Sequence, residues 1–183
     1  MKTIALHILD IVQNSTKAGA HLIRIAIRED LRDDTFEVVI QDNGRGMDPA
    51  FLAKVSDPYT TTRKTRKVGM GLSLLRQNAE MTEGCFHIES EPGAGTKVQA
   101  CFGHKHIDRP ALGDIVGVVL MLITGNPQVD FVYTHEKEGN SFTLDTREVK
   151  DALEGISLST PEVRPMLKEL LVENLKELKV LSQ

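Results

Sequence analysis

The sequence contains no tryptophan, only two tyrosines and two cysteines, and no apolar run long enough to cross a bilayer. The scarcity of aromatic side chains argues against a surface on which bases stack, and a net charge of -4 gives no general support for nucleic-acid binding. Cys85 and Cys101 lack the spacing of metal ligands, so we expect two reduced core cysteines. Without a recognisable signal peptide, a cytoplasmic protein with neither membrane nor nucleic-acid partners is predicted.

The 183 residues suffice for one sizeable domain or for one domain with a substantial appendage. Apolar periodicity predicts helices, and apolar alternation predicts strands. The first predicted helix follows residues 1–4 directly and ends near residues 17–20. The other predicted helices are a short segment from Pro49, 70–81, 112–123, a short segment ending near 153, and a last helix that opens at 160–162. The predicted strands cover residues 21–29, 35–41, 85–90, 96–102, 129–135 and 141–144. Pro165 predicts a kink or a late start in the last helix.

Asp10 and Asn14 are four residues apart on the first predicted helix, so their side chains share a face. An asparagine carbonyl oxygen suits a magnesium ion that already meets anionic phosphates. An aspartate one turn away could orient or deprotonate a water or the acceptor of a phosphoryl group. Taken alone, the pair is more typical of the solvated face of an amphipathic helix.

Asp42 ends an apolar strand and precedes Gly44 and Gly46. A buried carboxylate at a strand end is costly unless it is paired, and an adenine amino group is a suitable donor. The glycines would let the backbone approach the ring without a Cβ clash. An ordinary Asp-Asn-Gly turn is the alternative for this segment in isolation.

Gly69 and Gly71 open the helix that follows a segment rich in threonine, lysine and arginine. Exposed N–H groups at a helix start can bind phosphate. Arg63 and Lys67 precede this start and could neutralise a triphosphate, although a charge run of this kind is more often a solvated loop. A lone G-x-G is common and lacks the Walker pattern.

Five sequence segments, which occur in a fixed order along the chain, together resemble the motifs of one family. The segments are 10–20 (DIVQNSTKAGA), 42–47 (DNGRGM), 57–63 (DPYTTTR), 69–73 (GMGLS) and 93–96 (GAGT). They resemble the N-box, the first glycine box, the segment before the ATP lid, the second glycine box and the last motif of the GHKL ATPase superfamily, especially its histidine-kinase-like members. The resemblance covers roughly residues 4 to 102. It implies ATP and Mg²⁺ as ligands.

The resemblance implies a base pocket at one end of the site. Asp42 would accept from the adenine amino group, Gly44, Gly46 and Met47 would shape the pocket, and Thr96 would support Asp42 through a water.

The resemblance also implies a phosphate end. Asn14 would ligate magnesium and Lys17 would lie near the terminal phosphate. Gly69 and Gly71, followed by Leu72, would contact phosphates and hinge the lid.

Asp10 departs from the family pattern, because hydrolytic members have glutamate there and many histidine kinases have asparagine. The segment 14–20 resembles mismatch-repair ATPases, whereas Lys17 and the segment 57–63 resemble kinases, so the subfamily stays open. A stand-alone form is expected, because no dimerisation segment with a phosphoacceptor histidine precedes the first helix.

The predicted fold is α+β: a two-layer α/β sandwich with a mixed, mostly antiparallel sheet, helices on one face, and ATP between the helix layer and a lid. Residues 1–103 would form the ATP-binding domain, and residues 104–183 a C-terminal α/β extension that either extends the sheet or forms a docking module. The last helix is expected to pack on its own domain, with a homodimer as the alternative.

The predicted function is Mg-dependent ATP binding with phosphoryl transfer to a protein partner in trans, or slow hydrolysis. Asp10 and Lys17 are the candidate catalytic residues. The alternatives are a nucleotide-gated regulator that captures a partner with little catalysis, as anti-sigma-type relatives do, and a structural protein with a vestigial pocket.

Overall fold

The structure, a computed structural model, describes residues 3–56 and 70–181. Within these ranges the chain forms six helices and six strands. The helices are α1 (Ile4–Lys17), α2 (Pro49–Ser56), α3 (Met70–Met81), α4 (Ile115–Gly125), α5 (Thr146–Ala152) and α6 (Val163–Glu177). The strands are β1 (Leu22–Asp30), β2 (Thr35–Asp42), β3 (Phe86–Glu91), β4 (Gly95–Gly103), β5 (Asp130–Lys137) and β6 (Asn140–Asp145).

All six strands lie in one sheet, in the order β3-β4-β2-β1-β5-β6. Every neighbouring pair is antiparallel except β1 and β5, which run parallel. The parallel pair is possible because the long connection through α4 returns the chain to the same end of the sheet. The prediction of an α+β fold with a mixed, mostly antiparallel sheet is therefore confirmed.

One face of the sheet is buried beneath a layer of helices. Alternate strand residues such as Ile25 on β1, Ile40 on β2, Val98 on β4 and Tyr133 on β5 are almost fully buried and lie side by side in the strand register. In the helix layer α1 lies between α3 and α4, and α4 also contacts α6. The opposite face of the sheet carries polar and charged side chains, so the domain has two layers.

Helix α1 begins where the C-terminal part of the chain supplies backbone acceptors. The N–H groups of Ile4 and Ala5 donate to the carbonyls of Ala111 and Leu112, both at 2.9 Å. These bonds satisfy two of the N–H groups that a helix start leaves without intrahelical partners. The segment after β4 is thereby joined to the first helix.

The C-terminal hairpin extends the sheet, which is the first of the two alternatives that the sequence left open. Helix α6 packs on its own chain through a buried stripe of Val163, Leu167, Leu171 and Leu175. Helix α6 starts late, at Val163, so that Pro165 lies in the first turn, where its missing N–H removes no intrahelical bond.

None of the helices in the described ranges combines the length and the apolar content needed to cross a membrane.

The expectation that both cysteines are core residues is wrong. Cys85 and Cys101 are partly exposed. In strand β4 the side chains of Ala100 and Phe102 alternate with Cys101 and take the buried positions. The cysteines therefore lie on the face of the sheet away from the helices.

Candidate functional site

A cavity of about 480 Å³ lies between the second half of α1 and the ends of β2 and β4, and α2 and α3 complete its walls. Its lining residues are Ile11, Asn14, Ser15, Lys17, Ala18, Ile40, Asp42, Arg45, Gly46, Met47, Asp48, Phe51, Leu72, Thr96 and Val98. A volume of this size is within the range of small-molecule sites.

Helix α1 presents two kinds of side chain to the cavity. Ile11 and Ser15 belong to its buried side, and the half-buried Ala18 continues this side just past the end of the helix, while Asn14 and Lys17 lie on the adjoining, more exposed side. The amide and the ammonium group therefore stand one turn apart along one wall, where an anionic ligand could meet both.

Asp42 is the buried carboxylate of the cavity, with 7% of the residue exposed. Its Oδ2 accepts a hydrogen bond from the Ser15 hydroxyl at 2.5 Å, and its Oδ1 accepts one from the Gly44 N–H at 2.9 Å. A carboxylate can accept about four hydrogen bonds, so lone pairs remain for a donor in the cavity. The arrangement suits a ligand with an N–H or NH₂ group.

The turn after Asp42 is held by the end of α1 and by the start of β1. Asn43 Oδ1 accepts from the backbone N–H groups of His21 and Leu22, both at 2.9 Å. The N–H of Arg45 donates to the Ala18 carbonyl at 3.0 Å, at the end of α1. These bonds fix the turn against α1 and β1, and they keep Asp42 at a defined position.

Two glycines allow this turn to press against the β3–β4 hairpin. Gly46 has φ +66°, and a Cβ at this position would lie 1.9 Å from the Glu91 carbonyl oxygen. Gly95 has φ +100°, and its Cβ would lie 2.0 Å from the Asp42 carbonyl oxygen. Any larger residue would force the backbones apart, so the close approach explains why glycine occupies both positions.

Thr96 lies directly opposite Asp42 in the β2–β4 register, so the two side chains share a face. The hydroxyl of Ser90 donates to the Gly95 carbonyl at 2.8 Å and accepts from the Met47 N–H at 2.9 Å. Because the one Ser90 proton is used, Thr96 is the donor in the 2.9 Å contact between the two hydroxyls. The lone pairs of the Thr96 hydroxyl are left to accept from the cavity.

Helix α3, which brings Leu72 to the cavity, is joined to α1 by a buried contact. The side chains of His7 and Asn78 meet with 3.0 Å between Nε2 and Nδ2. Burial lowers the pKa of His7, so the ring is neutral near pH 7 and its Nε2 accepts from the Asn78 amide. The contact fixes the spacing of the two helices that flank the cavity.

The structure brings most of the described predicted site residues together. Seven of them line the cavity: Asn14, Lys17, Asp42, Gly46, Met47, Leu72 and Thr96. Three others, Asp10, Gly44 and Gly71, are not among the lining residues. Arg63, Lys67 and Gly69 lie outside the described residues.

Asp10 is partly exposed and lies one helical turn before Asn14. Gly44 contributes its N–H to Asp42, and Gly71 is buried in the first turn of α3. These three residues surround the lining rather than forming it.

Sequence reasoning missed eight lining residues. Five of them follow from the periods of a helix and of a strand. Ile11, Ser15 and Ala18 recur at helical spacing beside Asn14. Ile40 lies two residues before Asp42 and Val98 two residues after Thr96, so each shares a strand face with a predicted site residue. No such period points to Arg45, Asp48 or Phe51. Their positions depend on the path of the turn after β2 and on where α2 packs.

The sequence profile of the family described as "Histidine kinase-, DNA gyrase B-, and HSP90-like ATPase" matches residues 2–106. The sensor protein kinase FleS of Pseudomonas aeruginosa is 35% identical over 94 residues, which are 51% of this chain and 23% of that protein. The non-motile and phage-resistance protein of Caulobacter vibrioides is 27% identical over 122 residues, which are 63% of this chain and 14% of that protein.

Among solved structures, the MutL ATPase domain of Aquifex aeolicus, complexed with ADP, superposes with a TM-score of 0.50 and 15% identity over 84% of this chain and 70% of that one. This likeness concerns the fold. The chain spans less than a quarter of the length of the two curated relatives. The family profile covers more than half of the chain, so the protein belongs to the family of histidine kinase-, DNA gyrase B- and HSP90-like ATPases, the GHKL superfamily.

Proposed function

We propose that the cavity binds ATP with magnesium, and that the protein transfers the terminal phosphoryl group to a separate protein or hydrolyses ATP slowly. The observation that carries the proposal is the buried carboxylate of Asp42, which lines the cavity and is held by Ser15 and Gly44 with acceptor capacity left over. In a protein of this ATPase family, an adenine amino group is the fitting donor.

The base end of the site would be formed by Asp42, Thr96, Gly46 and Met47. The carboxylate accepts from the amino group, and the Thr96 hydroxyl, whose proton goes to Ser90, offers a second acceptor for the base or for a bridging water. Ile40 and Val98 supply apolar wall beside these groups. An aromatic base with one amino edge matches this combination of apolar surface and acceptors.

The phosphate end would lie toward Asn14 and Lys17. The Asn14 side chain offers one neutral oxygen, which fits a magnesium ion whose remaining ligands are phosphate oxygens and waters. Bound magnesium would neutralise charge on the phosphates as they react. Lys17 would hold the terminal phosphate by its charge, and the start of α3 at Gly71 would offer N–H groups. Gly69, Arg63 and Lys67 are proposed for the same end from the sequence alone.

Asp10 would act on the acceptor rather than on the nucleotide. It lies one turn before Asn14 on α1, partly exposed and outside the cavity lining. In that position its carboxylate can orient or accept a proton from the acceptor group. Relatives such as the sensor protein kinase FleS are named as protein kinases, which favours transfer of the phosphoryl group to a protein. The acceptor would be supplied in trans.

Calorimetric titration of the folded protein with Mg-ATP tests the proposal. We expect saturable binding that Asp42→Asn weakens by about 10-fold or more, because a charged acceptor is replaced by an amide. Asp151→Asn, which neutralises an exposed carboxylate on α5, is the matched control and should bind as the parent does. No binding by the parent, or equal binding by Asp42→Asn, contradicts the proposal.

The fate of the phosphoryl group needs a second measurement. The protein is incubated with ATP labelled at its terminal phosphate in the presence of cell extract. Label on another protein supports transfer in trans, and label in free phosphate supports hydrolysis. If neither appears above the level of a protein-free control, the enzymatic half of the proposal fails although ATP binding can stand.

A further inference from the structure

Cys85 and Cys101 face each other across the β3–β4 pair. The Cys85 N–H donates to the Cys101 carbonyl at 3.1 Å, and the Cys101 N–H donates to the Cys85 carbonyl at 2.7 Å. Two residues that exchange both backbone bonds in this way are directly opposite, with Cα atoms about 5.5 Å apart. Disulfides join Cα atoms about 4.4–6.8 Å apart, so the backbone already provides the required spacing.

Both side chains point to the open face of the sheet. The neighbouring pair, Phe86 and Ala100, lies on the helix-covered face, and strand side chains alternate. Each cysteine is partly exposed. The two thiols are therefore neighbours at a surface that a small reagent can reach, and this surface is opposite the one on which the nucleotide cavity lies.

We propose that Cys85 and Cys101 form a thiol–disulfide site, which closes by exchange with a low-molecular-weight disulfide and reopens with a thiol reductant. The pair takes no part in the proposed ATP chemistry, so the two proposals stand or fall separately.

Glu37 determines which thiol reacts first. It lies opposite Cys101 in the β2–β4 register, and Cys101 Sγ is 3.9 Å from Glu37 Oε1. Gln99 donates to the same carboxylate oxygen and holds it in place. Burial, the neighbouring Cys85 and the Glu37 charge together raise the pKa of Cys101 to about 12. Cys101 is therefore a poor first nucleophile, and we assign that role to Cys85.

The exchange proceeds in two displacements. The Cys85 thiolate attacks one sulfur of the small disulfide, and a mixed disulfide forms as the first small thiolate leaves. Cys101 loses its proton to solvent and attacks the Cys85 sulfur, which expels the second small thiolate. The protein gives up two electrons and two protons, and the small disulfide is reduced to two thiols.

The chain has only these two cysteines, so the product can be identified without ambiguity. The reduced, folded protein is incubated with excess oxidised glutathione, unfolded, alkylated and weighed by intact-mass spectrometry. We expect a monomer that lacks two hydrogen atoms and takes up no alkylating reagent. Stable glutathione adducts on both thiols, disulfide-linked dimers, or two thiols that remain free would overturn the proposal.

Single variants test the assigned order. Cys101→Ser should stop at a stable Cys85–glutathione adduct, whereas Cys85→Ser should react several-fold more slowly. Adding Glu37→Gln to Cys85→Ser should speed alkylation of Cys101 several-fold at constant pH, because the thiolate is no longer beside a carboxylate. Glu136→Gln in the Cys85→Ser background is the control. An alkylation rate of Cys101 that Glu37→Gln leaves unchanged would contradict the role of Glu37.

Discussion

The Ser15 hydroxyl on α1 donates a 2.5 Å hydrogen bond to the carboxylate of Asp42 at the end of β2. The two residues are 27 positions apart in the sequence, and both are buried. The bond connects the helix that would hold magnesium to the strand that would hold the base. One hydroxyl thus orients the carboxylate on which the proposed recognition of adenine depends.

Replacing Ser15 by alanine should weaken Mg-ATP binding by roughly 10-fold, because one hydrogen bond to a charged group contributes about 1.5–3 kcal/mol and part of this loss falls on stability. Thr16→Ala is the matched control, since the Thr16 hydroxyl donates to a backbone carbonyl on the same helix and does not line the cavity. Calorimetry on both variants measures the difference. Equal affinities would show that the Ser15 hydroxyl is not needed to orient Asp42.

Asp10→Ala should separate nucleotide binding from chemistry. The residue lies outside the cavity lining, so Mg-ATP affinity should stay within about 2-fold of the parent value. Turnover should fall roughly 100-fold or more, because alanine can neither orient the acceptor group nor take a proton from it. Label transfer from ATP and calorimetry are the two measurements.

A loss of affinity equal to the loss of turnover would place Asp10 in the binding site instead. Unchanged turnover would remove it from the chemistry and favour a nucleotide-gated regulator.

Gly46→Ala should destabilise the turn and abolish nucleotide binding. The new Cβ would meet the Glu91 carbonyl oxygen at 1.9 Å, and φ +66° is unfavourable for alanine. Gly93→Ala is the control, since Gly93 has φ +79° and no atom of the described residues lies within 4 Å of a Cβ placed there. This control isolates the free-energy cost of holding alanine at a positive φ, which is about 1–2 kcal/mol.

Urea unfolding and ATP titration measure both variants. We expect Gly46→Ala to lose clearly more stability than Gly93→Ala, and Gly93→Ala to keep its ATP affinity. Equal losses would show that the hairpin yields to the added methyl group.

Glu29 is the centre of a buried network at the other end of the sheet. Its carboxylate accepts from Nε2 of His135 and of His104, both at 2.9 Å, and lies 3.6 Å from Nζ of Lys137. Burial alone would raise the pKa of Glu29, but hydrogen bonds from the two histidines and the Lys137 charge lower it to about 2. The network joins β1 to β5 and to the segment after β4.

Because the folded-state pKa of Glu29 is below the ordinary value, the network stabilises the protein fully above pH 4.5 and loses this contribution as the pH falls toward 2. Glu29→Gln should therefore lower the free energy of unfolding by roughly 2–4 kcal/mol at pH 7. The difference from the parent should shrink between pH 4.5 and pH 2. Denaturant unfolding at several pH values measures it.

Glu136→Gln is the control for this prediction. Glu136 pairs with Arg28 at 3.2 Å on the exposed face, where an ion pair contributes about 0–1 kcal/mol. A Glu29→Gln variant no less stable than this control would contradict a stabilising role for the buried network.

The sequence predicted the elements that carry the site more reliably than the contacts that shape it. The periods of α1, β2 and α3 and the glycine turn after Asp42 can be read locally, since each depends on residues within a few positions. Ser15 and Ser90 could not be chosen over other hydroxyl residues, because their partners Asp42 and Thr96 come from other strands and helices. Phe51 depends in the same way on where α2 lies.

By itself the sequence determined the α+β class, the membership of an ATPase family and the order in which its motifs occur, because these follow from local patterns of side chains. Only the tertiary structure decided that β5 joins β1 in parallel, that Ser15 meets Asp42, and that Cys85 meets Cys101. Each of these contacts joins two different elements of the fold. They depend on strand register and helix packing, which no short stretch of sequence specifies.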